Sequence, residues 1–150
     1  MPGVLITTDL SPESRRAFQP AVNLAKQLKL PVLLLAVVED VPFEVVAGGG
    51  MAATYPVREQ VRADWEVRLN DMALDLGKQE GIKVTAKVVE GFDVPRAIAD
   101  CAIVEKADYI AMASHGRSGL RRLLLGSVAE AVLRHAHTPV IVFPPAPAKG

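Results

Sequence analysis

The chain has 150 residues, 50% of them hydrophobic and 23% charged, with 17 Lys+Arg balanced by 17 Asp+Glu. This length suits one ordinary domain, and the apolar content excludes an intrinsically disordered chain. Zero formal net charge excludes a general attraction to nucleic acid or anionic lipid, so any anion site has to be local.

In chain order, Gly3 to Thr8 (GVLITT) is a short β-rich run that ends at Asp9. Ser11-Pro12 then reads as a helix cap and first turn. The helix is predicted from about Pro12 to Leu28, with Ala17, Ala21, Leu24, Ala25 and Leu28 on one face. Pro20 interrupts it, and an interior proline predicts a kink.

Pro31 to Val38 (PVLLLAVV) is apolar without alternation, as expected of a central parallel strand covered on both faces. It falls far short of the roughly 18 residues that span a bilayer. The segment EDVPFEVVAGGGMAATYP, with Gly48, Gly49 and Gly50, predicts a flexible loop over about 41–56. A helix is predicted from about Val57 to Glu80, with Val61, Trp65, Leu69, Met72 and Leu76 inward and Gly81 as its terminator.

Val84 to Val89 reads as the third strand, followed by a helix from about Pro95 to Lys106 carrying Ile98, Ala102 and Val104. Asp108 to Ala113 is the fourth strand, Ser127 to His137 a helix, and Pro139 to Phe143 the fifth strand. Residues 144–150 form a Pro-rich tail. The strict β-α alternation predicts a single α/β domain over residues 1–143. Its core is an open five-stranded parallel sheet with helices on both faces, a Rossmann-like architecture.

Cys101 is the sole cysteine, so neither an internal disulfide nor a thiolate metal cluster is expected, and a reducing cytoplasm is the simplest compartment. The beginning, MPGVLITTDL, lacks the basic region and small-residue cleavage pattern of a secretory signal, so no leader is expected. No membrane or nucleic-acid partner is expected.

In open parallel sheets, ligands bind beyond the carboxyl ends of the strands. Asp9, Val37 to Asp40 and Ala113 to Gly119 all fall at such ends. Gly116, Gly119 and Gly126 let backbone amides approach an anion closely. Ser127 is placed to cap the last helix, with Glu130 completing a capping box. Arg117 lies beside Gly116, within approach of a phosphate. His115 has no serine, cysteine or carboxylate at triad spacing, so packing and one hydrogen bond are expected of it. His135 and His137 belong to a helix end rather than a metal site.

The stretch MASHGRSGLRRLLLGSVAEAVLRHAHTPVIVF resembles the end of the universal stress protein family, and VLITTDLSPES resembles its start. LLLAVVED resembles the family's second strand, and VVEGFDVPRAI its third strand and the following turn. The nucleotide-binding branch of that family carries GxxGx9G(S/T), matched here by Gly116, Gly126 and Ser127, with Ala113 in place of the first glycine. The resemblance implies strand order 3-2-1-4-5 and a cradle for ATP, with Mg²⁺ reached at most through Asp9 and the phosphates. It assigns nucleotide contacts to Thr7, Asp9, Val37 (through its backbone), Met112, Ala113, Gly116, Arg117, Gly126, Ser127 and Val128. It implies a homodimer through Pro139 to Phe143 and regulation of an unknown protein partner rather than catalysis. A slow ATPase, or an interaction protein whose Ala113 has disabled nucleotide binding, are the alternatives.

Overall fold

The structure, a computed structural model, describes residues 3–40, 54–115 and 125–144. Strand β1 is Val4–Thr7; a 3-10 turn, Ser14–Ala17, leads into α1, Phe18–Leu28; and β2 is Val32–Glu39. Helix α2, Thr54–Glu80, is followed by β3, Val84–Gly91, and α3, Val94–Val104. Then come β4, Tyr109–Ala113, α4, Ser127–His135, and β5, Val140–Phe143. The five strands are all parallel, in the order β3-β2-β1-β4-β5 expected from the sequence.

Alternation along the strands divides the core between the two faces. Val4, Ile6, Leu34 and Ala36 pack with Ala21, Val22 and Ala25 of α1 and Leu69 and Ala73 of α2. Leu5, Leu35, Val37, Ile110 and Met112 pack with Ile98, Cys101 and Ala102 of α3 and Ala129 and Val132 of α4. Burial on both sides explains why PVLLLAVV carries no polar alternation.

Several local expectations are corrected. The first helix opens as a 3-10 turn, so its α-helical part starts at Phe18 and Pro20 falls in the first turn, where the missing N–H costs nothing. Helix α2 starts at Thr54 rather than Val57, with Pro56 also in a first turn; of the predicted loop, residues 41–53 lie outside the described residues. At about 1.5 Å per residue, α2 is longer than the strands it covers. Residues 59–64 accordingly stay exposed, and Val61 is no core residue, at 38% exposure. Leu28 and Val104 are likewise exposed, each in the last turn of its helix. Trp65, Met72 and Leu76 are partly buried against the α1/α2 core. Gly81, at φ +66°, ends α2 as predicted, and its N–H reaches the Gly77 carbonyl at 2.9 Å. Among the described residues, no helix is long and apolar enough to cross a membrane.

Candidate functional site

The chain leaves β1 to build β2 and β3 on one side, then returns to build β4 and β5 on the other. The carboxyl ends of β1 and β4 therefore diverge, and a cleft opens there. Thr7, Thr8, Asp9 and Ser14 line it from β1 and the turn behind it, and Val37 from β2. Met112, Ala113 and His115 close it from β4, and Gly126, Ser127, Val128 and Ala129 from the start of α4. Val94 and Ile98 of α3 add an apolar wall. Of the ten predicted contacts, Gly116 and Arg117 lie outside the described residues, and the other eight meet in this cleft.

The backbone of Val37 is presented by a difference in strand length. β1 ends at Thr7, whereas β2 continues to Glu39. The Leu35 carbonyl turns toward β1 and accepts from Thr8 N–H at 2.9 Å. By strand alternation, Val37 turns its backbone N–H and C=O to the same side, past the end of β1.

The start of α4 corrects the capping expectation. Gly126, extended at φ −62° and ψ 153°, is the N-cap, and Ser127 is the first helical residue. Glu130 instead pairs through its carboxylate with Arg134 at 2.6 Å, while its N–H makes the first helical bond, to Gly126 O, at 2.9 Å. The amides of Ser127, Val128 and Ala129 precede that bond and sit at the positive end of the helix dipole. The N-cap position also requires glycine on steric grounds. Gly126 N–H donates to Ser114 O at 2.7 Å, and a Cβ at position 126 would lie 2.6 Å from that oxygen. Only glycine lets the two chain segments meet so closely.

Behind Asp9 lies a set of hydroxyls. Ser11 N–H donates to Asp9 Oδ1 at 2.9 Å, and the Ser11 hydroxyl bonds the same oxygen. Thr8 Oγ1 and Ser14 Oγ lie 2.7 Å apart, and Thr8 Oγ1 accepts from Leu10 N–H at 3.0 Å. His115 is buried, with Nδ1 3.0 Å from Ser114 Oγ, while Nε2 is enclosed and has no hydrogen-bond partner among the described residues. Among the described residues, no three His, Cys, Asp or Glu side chains gather to hold a metal.

Thr8, Ser14, Val94, Ile98 and Ala129 also line the cleft, although the sequence reading did not single them out. The hydroxyls at intervals of three in TTDLSPES were the available signal for Thr8 and Ser14. Nothing in the sequence marks Val94 and Ile98 as anything but core.

The model of the universal stress protein family matches residues 2–144. The chain belongs to the universal stress protein family. A universal stress protein of Methanocaldococcus jannaschii is 33% identical over 139 residues, covering 93% of this chain and 79% of that one. The chain spans about half the length of mycobacterial universal stress proteins it also matches, such as that of Mycolicibacterium smegmatis at 47% of its length. Among solved structures, a universal stress protein in complex with cAMP superposes at a TM-score of 0.64 with 23% identity, covering 95% of each chain. One from Archaeoglobus fulgidus in complex with dAMP gives 0.63 at 19% identity, covering 95% of this chain and 97% of that one. These likenesses agree with the Rossmann-like sheet.

Proposed function

We propose that this universal stress protein binds ATP in the cleft and acts as a dimeric cytoplasmic regulator through nucleotide-dependent conformation or choice of protein partner. The observation that carries this reading is the convergence of three different groups on one strand-end cleft. They are the Asp9 carboxylate, the outward backbone of Val37 and the first-turn amides of α4.

These groups fit a nucleotide part by part. Asp9 accepts from ribose hydroxyls, and Val37 N–H and C=O offer a donor and an acceptor to the adenine edge. Ser127 and Val128 supply amides, and Ser127 a hydroxyl, to phosphate oxygens at the helix N-terminus. Thr7, Met112 and Ala113 form the floor between them. Gly116 and Arg117 complete the cradle on the strength of the motif alone. Mg²⁺ would be held chiefly by the phosphates, with the carboxylate of Asp9, which lines the cleft, available to assist. The complexes of structural neighbours with cAMP and dAMP support an adenine nucleotide as the ligand class.

Calorimetric titration of the full chain with ATP and Mg²⁺ tests the reading. Saturable heat with a thermal shift is expected; no heat and no shift at millimolar ATP would overturn it.

A further inference from the structure

Among the described residues, the buried hydroxyls are those of Thr7, Thr8, Ser11, Ser14 and Ser114. All but one are satisfied within the protein, as buried polar groups generally are. Thr8 and Ser14 bond each other at 2.7 Å, Ser11 bonds Asp9, and Ser114 Oγ lies 3.0 Å from His115 Nδ1. The Thr7 hydroxyl is the exception: among the described residues it has no hydrogen-bond partner, and it is not sealed from solvent. Thr7 is 8% exposed and lines the cleft, so its oxygen opens there.

The surroundings of that oxygen are apolar. Strand alternation puts Thr7 on the face of Leu5, toward α3 and α4. Its register partner in β2 is Leu35, and because Ile6 pairs with Ala111, Met112 stands beside it in β4. Leu35 and Met112 belong to the core on that face, and Val94 and Ile98 wall the cleft. Valine has nearly the shape of threonine and suits such a floor better, since it carries no group that needs a partner. A hydroxyl kept there is solvated while the cleft is open, and any ligand that covers it without offering an acceptor leaves it unpaired. The position therefore discriminates among ligands by what they place over β1.

The backbone of Val37 determines which part of a nucleotide that is. Val37 turns its N–H and C=O past the end of β1, a strand about 4.8 Å away. With the N1/N6 edge of adenine on that backbone, the ring reaches across to β1 and its sugar edge comes over Thr7. That edge carries N3, an acceptor, and the Thr7 hydroxyl has a proton to donate.

We propose that the Thr7 hydroxyl donates to N3 of a bound adenine and makes the cleft selective for bases that carry a ring nitrogen there. The proposal rests on the nucleotide reading above and adds an origin for its base selectivity.

Calorimetric titration of the full chain with ATP and with 3-deaza-ATP, each with Mg²⁺, tests it. Wild type is expected to prefer ATP by about tenfold, the cost of covering a hydroxyl without giving it an acceptor. Thr7→Val brings the ratio close to one, and Thr7→Ser, which keeps the donor, preserves the preference. Ligand-free Thr7→Val is expected to melt no lower than wild type, because no bond within the protein is lost. A clear drop in its melting temperature would assign the hydroxyl to the fold instead and overturns the proposal. An unchanged ratio in Thr7→Val, or equal weakening of both nucleotides, overturns it as well. Wild type binding both nucleotides equally overturns the base selectivity while nucleotide binding stands; wild type binding neither overturns both readings.

Discussion

Gly126 N–H donates to Ser114 O at 2.7 Å, which ties the first residue beyond β4 to the residue that caps α4. The glycine of the motif is thus required by the protein's own backbone, whatever else approaches it. Gly126→Ala places a methyl 2.6 Å from that oxygen, and because the contact is with backbone, relief requires α4 to move. The variant is expected to lose about 1–3 kcal/mol of stability, read from urea unfolding, together with most ATP affinity. Wild-type stability with lost affinity would instead show that the glycine serves only the ligand.

Ala113 lines the cleft at the end of β4, where the family motif has glycine. Its methyl narrows the approach of a ligand to the strand end. Ala113→Gly is expected to tighten ATP binding several-fold by calorimetry, at a cost of about 1 kcal/mol in stability for glycine in a strand. Unchanged affinity would show that the methyl meets no part of the nucleotide.

The dimer proposed through β5 has a defined hydrogen-bonding edge. Pro139 O and Phe143 O accept from Ile110 and Ser114 of the β4 side, so alternation turns the backbone groups of Val140 and Val142 outward. An apolar edge strand of this kind invites pairing. Val142→Pro removes one outward donor and leaves those inward bonds intact. It is expected to convert dimer to folded monomer in sedimentation equilibrium. A dimer that survives it would place the interface elsewhere.

Cys101 is buried in α3, and burial pushes its thiol above the ordinary range, with the Lys87 ammonium opposing and Glu105 adding to the shift. Lys87 is itself raised, chiefly by its 2.5 Å bond to Glu105. A group whose folded pKa is raised holds its proton more tightly when folded, so its effect favours folding below the unfolded pKa and is lost as pH rises through the folded one. For the thiol that loss begins above about pH 8.5, and for the lysine above about pH 10.4. Urea midpoints are therefore expected to fall from pH 8 to pH 10 in wild type and to fall less steeply in Cys101→Ala, which is about 1 kcal/mol weaker at neutral pH. Parallel slopes would show that folding leaves the affinity of the thiol for its proton unchanged.

The amino-acid sequence by itself determined the order of strands and helices, because unbroken apolar runs and helical spacing survive any rearrangement of neighbours. It also marked Gly81 as a stop and Asp9, Ala113 and Ser127 as residues at strand and helix ends. Tertiary structure decided what local pattern does not contain. Val61, Leu28 and Val104 have core spacing, yet lie where their helices outrun the sheet or reach their last turn. The N-cap is Gly126 rather than Ser127, at a position where a distant carbonyl, Ser114 O, occupies the space a side chain would need. Val37 presents its backbone because β1, far away in sequence, stops short of β2. Ser11 holds Asp9 only because a buried, left-handed Leu10 turns the chain between them.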